Sequence, residues 1–542
     1  MYKPGDFSGF FYFRHFIIRN YLHVSQAIRF RLNRYDMYKY AFLFLLSGLL
    51  ILQSCRKDAA IGQRVDLANL APEDLRVELN PNGNSPLSAA LTFESIVPVR
   101  VSVRINGEHP LEHTFEDLET THEHIIAGLY PGTDNEVDIT LTDAIGNFAS
   151  TTLTITTDPL PNYFPDIETN VITPLRQDGW TLTEFGVGLG TSFLSVPFIF
   201  DEAGKVRWFL ELDVFSDLSF PVKQLPNGNM LVSYLDHIYE YDLLGNEIND
   251  IYIPGYFQHH ETRIMPNGNY LLAVDKEGIS TVEDHIIEIS PNGTLVQEWD
   301  LREILDMDRY DLVEDPVDWF HNNAVWYSED DDCLIISGRN QGVVKVTRNN
   351  ELVWILAPHQ GWGVAANGLD NSDWLLTAVD ATGNAYPDEV QQGTTESPSF
   401  DWTWGQHAPM LLPNGNIFIF DNGFNRHFLP GEPSFSRAVE YRIDEAAMTV
   451  QQIWQYGKER GTECWAPIIS DVDRLQNTNR IMHSGIVFGP TSYAKIIEVT
   501  FPDASVASEI TLQFKNALSD GALAWGGLDL SYRSERIYLY PR

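Results

Sequence analysis

The chain is 542 residues long, 44% hydrophobic and 12% aromatic, with a formal net charge of −39 and a pI near 4.6. That length exceeds one ordinary domain and that composition excludes extensive disorder, so two domains are expected, one of them large. So acidic a chain repels nucleic-acid phosphates, and an anionic ligand would have to be small and held by local donors.

Basic charge gathers at the amino end: residues 1–55 hold seven Lys/Arg against two Asp/Glu. Residues 41–52, AFLFLLSGLLIL, form an apolar run of twelve. It is too short to span a bilayer and suits a signal-peptide core. Lys39 precedes it and Leu52-Gln53-Ser54-Cys55 follows, the order of a bacterial lipobox. Cys55 is therefore the expected lipidation site, with Met37 a well-proportioned start and residues 1–36 outside the fold. No acidic residue adjoins Cys55 in Arg56-Lys57-Asp58, which favours a lipid-anchored protein of the outer membrane, facing the periplasm or the exterior. The expected division is 1–55 extension and signal, 56–70 linker, 71–158 small β domain and 159–542 large domain.

In the small domain, LRVELN, VRVSVRING, EVDITLTD and ASTTLTITTD alternate with the period of strands and are rich in β-branched residues. Turn signals separate them at Pro81-Asn82-Gly83-Asn84, Asn106-Gly107 and Pro131-Gly132. An immunoglobulin-like sandwich is expected.

Beyond residue 160 a unit recurs. An apolar strand introduced by Pro-Asn-Gly-Asn appears in LPNGNMLVSY, MPNGNYLLAV and LPNGNIFIFD, with a worn copy in QNTNRIMHSG. The Asn-Gly pair supplies the positive φ of a tight hairpin. A strand-turn-strand half, such as IYEYDLLGNEI or IIEISPNGTLVQEWDL, occurs six times. Six all-β units without helices predict a six-bladed β-propeller, in which residues far apart in sequence meet at a central funnel.

Histidines stand at repeated places in these units: His259 and His260 in FQHHETRIMPNGN, His321 in DWFHNNAVWY and His407 in WTWGQHAPMLLPNGN. Successive strand residues face opposite sides, so one of His259 and His260 should face the funnel, and His260 is preferred. Arg339 closes the apolar strand CLIISGRNQG, 18 positions after His321. Imidazoles and a guanidinium converging on one point would hold a small anion, and one imidazole could attack it. His359 in APHQGWG and the rings of Trp319, Phe320, Trp402 and Trp404 are candidates for shaping the site or for packing between blades. Asp421-Asn422-Gly423 reads as a turn that supports blade geometry. Cys333 and Cys464 form no CxxC; two buried thiols are expected, and their pairing is left open.

The segments DWFHNNAVWYSEDDDCLIISGRNQGVVKV, VWILAPHQGW and WGQHAPMLLPNGNIFIFDNGFNR resemble bacterial arylsulfate sulfotransferases over about residues 160–542, and the small β domain fits that family's amino-terminal domain. The resemblance implies transfer of a sulfuryl group from a phenolic sulfate to a phenol, independent of phosphoadenosine sulfate, through a sulfated histidine. His407 matches the nucleophile, His321 and Arg339 the sulfate-contacting pair, and His260 or His259 the remaining histidine. His359 and Trp404 are assigned to substrate binding. No cofactor and no metal are implied, no disulfide is carried over, and a homodimer is compatible with the family. Two other readings stand beside it: a non-catalytic surface propeller gripping a glycan or sulfated ligand, and a metal-dependent propeller enzyme using the histidines as ligands. An arginine among the ligands weighs against the metal.

Overall fold

A computed structural model describes residues 62–541 apart from 72–73, 213–217, 311, 432–433 and 520. The expected signal segment, Cys55 and residues 56–61 of the linker lie outside the described residues. Residues 62–64 and 145–148 form a small unit, joined by a bridge between Arg64 and Phe148; residues 65–144 and 149–542 form the main body. No helix among the described residues is long and apolar enough to cross a membrane.

The amino-terminal sheet contains Arg76–Leu79, Ser88–Ile105, Leu111–Ala127, Asp134–Asp143 and Phe148–Thr156, and Ser88–Ile105 pairs antiparallel with the first, third and fourth. Ser88–Ile105 pairs with its neighbours over two stretches separated by register shifts near Val99. On either side of those breaks the long strand takes different neighbours, Arg76–Leu79 on its first half and Asp134–Asp143 on its second. Its inward residues Leu91, Val101 and Val103 meet Ile126, Val137, Ile139 and Leu141, all buried, in a core that continues into Phe164, Phe185 and Phe198 of the large domain. Leu111–Ala127 is a strand that the sequence pattern does not signal. Glu, His and Thr fill both its faces, and much of it is exposed, so it lacks the alternation that marks a half-buried strand.

Six further sheets of four or five strands follow, the number the repeats imply. Their innermost strands are Leu530–Ile537, Val222–Gln224, Tyr256–Ile264, Asn322–Ser328, His407–Leu411 and Asp471–Arg474, here blades one to six. All six contribute to the wall of one central cavity. The ring is closed twice: Leu530–Ile537, near the carboxyl end, pairs with Trp180–Gly188 in blade one, while Asp166–Ile172 adds an outer strand to blade six.

The Pro-Asn-Gly-Asn turns join the first and second strands of blades two, three and five. In each, only the glycine takes positive φ (Gly228 91°, Gly268 84°, Gly415 82°); the preceding asparagine does not, contrary to the expectation for the pair. In the worn copy Thr478 occupies that conformation, at 74°. The last asparagine of each turn explains the repeat. Asn229, Asn269, Asn416 and Asn479 donate to Glu240, Glu288, Glu440 and Glu498 on the third strand of their blades, at 2.5–2.7 Å. Each amide thereby bolts the hairpin to the next strand, and in three blades it shares its glutamate with an arginine: Arg348 on Glu288, Arg480 on Glu440 and Arg536 on Glu498.

Candidate active site

Four innermost strands carry a register shift at the same level of the ring: between Gln258 and Thr262, Asn322 and Ala324, His407 and Met410, and Ser531 and Ser534. A bulge re-aims side chains that regular pleating would send to opposite faces. Positive φ accompanies three of them, at His260 (59°), His321 (58°) and Ala408 (50°). Such conformations cost of order 1–3 kcal/mol each and persist where the surroundings over-determine them.

His407 heads its strand and is buried. Gly405 takes φ 63°, and a β-carbon there would meet Phe424 Cβ at 2.7 Å, so the approach to the histidine requires glycine. Gln406 locks blade five to blade four: its carbonyl accepts from Asn323 Nδ2 (2.8 Å) and Ser337 Oγ (3.3 Å), and its amide donates to the Gly338 carbonyl (2.8 Å). The imidazole Nδ1 lies 2.8 Å from Asn422 Oδ1 and 3.1 Å from the Gly405 carbonyl. Asn422 Nδ2 spends its hydrogens on the Ala466 and Ile469 carbonyls (2.7 and 2.8 Å), so its oxygen faces the ring. With two acceptors against it, Nδ1 must carry the proton, which leaves the lone pair on Nε2. Burial, then the Arg339 cation, hold the imidazole pKa well below its ordinary value. The ring is neutral, with the nitrogen a nucleophile needs.

His321 joins two carboxylates through Nδ1: Asp318 at 2.7 Å and Glu283 at 3.0 Å. Its carbonyl accepts from the Arg339 backbone N–H (2.9 Å), which fixes the two residues together. The polar turn after Arg339 holds the same loop, Asn340 donating to the Asp318 carbonyl (2.7 Å) and Gln341 to that of Trp319 (2.9 Å). The Arg339 guanidinium lies 4.3 Å over the Phe424 ring. Its Nε is buried without a partner. Burial lowers its pKa, opposed by Asp318 and Glu283, from a value so high that it remains a cation.

His259 and His260 both join the cluster, contrary to the expectation that only one would. The bulge brings their ring centroids within 3.9 Å, with His259 Nε2 3.1 Å and His260 Nε2 3.6 Å from the Glu283 carboxylate. The His260 ring centroid is 5.3 Å from that of His321, and its Nδ1 is 2.5 Å from the Tyr532 hydroxyl. Phe220, Tyr532 and His260 stack with interplanar angles of 7–17°. Burial raises the Tyr532 pKa, so the phenol keeps its proton and is able to donate to Nδ1, and the Glu283 carboxylate 3.6 Å from Nε2 favours the ring hydrogen on that side. His260 Nε2 then carries a hydrogen, and it is buried without an acceptor. Burial, then the neighbouring charges of His321 and Arg533, lower the His260 pKa well below its ordinary value. His259 falls to about 3 through burial and then His260.

Two assignments fit the structure poorly. His359 sits apart, its Nε2 on the Leu376 carbonyl (3.0 Å) and its backbone N–H on that of Gln391 (2.9 Å), so it ties loops together beside Trp402. Trp404 is 1% exposed; its indole N–H reaches Asp401 (3.3 Å) and its ring is edge-packed by His427 and Phe428. No ring face is free for a substrate. Trp319, Phe320 and Trp402 are likewise interior. Cys333 and Cys464 are buried free thiols, pushed up to about 11 and about 12 by burial.

Glu283, Asn422 and Tyr532 were not read as site residues. Asn422 lay within the Asp421-Asn422-Gly423 turn, and Asp421 does hold that turn, accepting from the Trp404 and Gly423 N–H groups and pairing with Arg426 and Arg437. The Glu283 loop and the last strand carry no repeat signature. Two triads have ligand atoms within 4.8 Å, spacing that a metal ion could use: His259, His260 and Glu283; and Glu283, Asp318 and His321.

Residues 167–520 match the family model "Arylsulfotransferase (ASST)". The chain belongs to that family. Residues 76–158 match its companion model, the arylsulfotransferase Ig-like domain. Arylsulfate sulfotransferase AssT of Escherichia coli O6:H1 is 29% identical over 540 residues, covering 80% of this chain and 89% of its own. The AssT of Lelliottia amnigena is 28% identical over 541 residues, covering 81% and 88%. A solved Bacteroides caccae structure of unknown function covers 66% of this chain and 98% of its own, at 12% identity and a TM-score of 0.38, too distant to carry weight.

Proposed function

We propose that this arylsulfotransferase-family chain moves a sulfuryl group from a phenolic sulfate ester to a second phenol through a sulfated His407. One observation carries the reading. A buried, neutral imidazole with its lone pair fixed on Nε2 lies in the field of Arg339, His260 and His321, and two of these hold unpartnered buried N–H groups, Arg339 Nε and His260 Nε2. Unpaired buried donors are costly unless a ligand takes them, and sulfate oxygens are acceptors.

In the first step His407 Nε2 attacks sulfur. The sulfur–nitrogen bond forms, the sulfur–oxygen bond to the aryl group breaks, and the electron pair leaves on the phenolate. Arg339 and His260 stabilise charge on the sulfuryl oxygens, as preorganised donors do in phosphoryl sites. His321, its Nδ1–H held by Asp318 beside the Glu283 carboxylate, moves a proton through Nε2 to the departing oxygen. The second step reverses these roles. The acceptor phenol gives its proton to His321, its oxygen attacks sulfur, and the sulfur–nitrogen bond breaks to return neutral His407. His259 Nε2 lies 3.1 Å from the Glu283 carboxylate, which favours the ring hydrogen there and makes the unpartnered Nδ1 an acceptor, suited to a phenol hydroxyl and not to a sulfate oxygen.

Mass spectrometry tests the reading. Protein exposed to 4-nitrophenyl sulfate without acceptor should gain one sulfuryl group on the peptide containing His407 and lose it when a phenol is added. A folded His407→Ala protein that still turns over refutes it. The metal triads around Glu283 favour a second reading, metal-dependent hydrolysis; release of 4-nitrophenol that chelator abolishes would select it.

We also propose the anchored location expected from the Leu52–Cys55 motif; globomycin-sensitive processing and membrane fractionation test it.

A further inference from the structure

Below the histidines, on the other side of Glu261, lies a cavity of about 270 Å³ walled by all six innermost strands. Its charged lining is unbalanced. Lys223, Arg263 and Arg533 supply three cations, and all three go to one carboxylate, Glu261, at 2.5, 3.5 and 2.8 Å. Glu184, Asp471, Asp473 and Glu535 also line the cavity. None of these four has a Lys, Arg or His ion-pair partner within 4.0 Å among the described residues. With every group ionised, the lining carries two negative charges more than positive ones.

A second observation points to a ligand. Glu184 is 4% exposed, one oxygen accepts from the Val222 N–H, and the other is buried with no partner. Ser534 Oγ, also 4% exposed, lines the same cavity without a partner. A buried carboxylate oxygen left unpaired is costly. Burial pushes Glu184 up to about 8 and Asp471 to about 6, and burial followed by Asp471 raises Asp473 further. Glu261, against the effect of burial, is held below the carboxylate range by Lys223, Arg533 and Arg263.

We propose that this channel binds one hydrated divalent cation of the Mg2+/Ca2+ class, held by Glu184, Asp471, Asp473 and Glu535. An all-oxygen donor set suits hard cations. A double positive charge cancels the surplus. Among the described residues, the clusters close enough for three side chains to ligate one ion directly are those around Glu283. In the channel, waters must therefore complete the shell, and the cavity has room for them. The site is structural and separate from sulfuryl transfer. It would hold together strands of blades one and six, where the ring closes.

The test uses the full chain after EDTA treatment and dialysis, with MgCl2 and CaCl2 as probes in separate titrations. Elemental analysis should find one divalent ion per chain. Thermal melting should show a saturable rise on the order of 2 °C. Asp471→Asn/Asp473→Asn should abolish both, and Glu535→Gln, which removes one charge, should weaken binding if the double variant does not fold. His321→Ala should leave both intact. No bound ion and no rise in the wild type overturns the proposal, the channel then neutralising itself with protons. A response that survives the Asn and Gln variants and disappears in His321→Ala also overturns it, placing the ion in the histidine cluster. Because neither readout is turnover, the outcome is independent of the proposed reaction.

Discussion

Asn422 is where the proposed mechanism is most exposed to test, because its oxygen dictates which imidazole nitrogen of His407 is free. In Asn422→Ala the 2.8 Å acceptor is lost and the Gly405 carbonyl at 3.1 Å remains. Losing one neutral hydrogen bond of this kind costs about 0.5–1.5 kcal/mol. If that bond biases the tautomer, the sulfuryl-accepting step slows by about 2- to 12-fold, at 1.36 kcal/mol per decade. Stability falls as well, since the Ala466 and Ile469 carbonyls lose their donors, so the rate must be measured on folded protein. Asn422→Asp separates orientation from support. It also loses those donors, yet it sets a carboxylate against Nδ1, which favours the imidazolium and raises the His407 pKa. Its activity should fall as pH drops and recover as pH rises, whereas the Ala variant keeps the wild-type profile. The assay is the single-turnover burst of 4-nitrophenol from 4-nitrophenyl sulfate across pH, alongside melting curves. A wild-type burst rate in Asn422→Ala, together with an unmoved profile in Asn422→Asp, would show that Asn422 does not govern the imidazole.

Arg339→Lys should lower kcat/KM by roughly 10- to 100-fold, because a point charge cannot reproduce the guanidinium fork; an unchanged value removes Arg339 from the site. Tyr532→Phe keeps the stack with Phe220 but removes the hydroxyl from His260, and should slow transfer about 3- to 10-fold, with melting temperature as the control; equal rates would contradict the tautomer assigned to His260. Since burial and Arg339 depress the His407 pKa, the neutral nucleophile persists as pH falls through 6.5, so the burst amplitude should stay level across that value; a loss centred at or above 6.5 refutes it.

Much of this was legible because repeats are written in turns. The Pro-Asn-Gly-Asn copies announced the blades, since each needs a residue at positive φ and an amide aimed at a buried glutamate, and neither demand tolerates much substitution. His260, His321 and His407 could be singled out for a related reason: they stand at equivalent places in successive blades, while Arg339 follows the second strand of the blade that carries His321. What failed was reasoning from ideal pleating. Alternation put His259 and His260 on opposite faces, and the bulge between Gln258 and Thr262 brought both to Glu283. Aromatic richness near the motifs suggested stacking surfaces, yet Trp404 is interior because a six-sheet ring needs large side chains between blades. Glu283 and Tyr532 had no local signal, since their roles exist only once blades three, four and one are neighbours.

The strand Leu530–Ile537 has a consequence for the timing of assembly. It is the inner wall of blade one, yet it follows the strands of all the other blades in the chain. Tyr532 then reaches back across 272 positions to His260, and Arg533 to Glu261 and the Asn323 carbonyl. A nascent or truncated chain therefore lacks the clasp that orients His260, however well its earlier blades have formed. Competence to transfer arrives with that strand, so a chain clipped before residue 530 should be inert even where most of its β-structure survives.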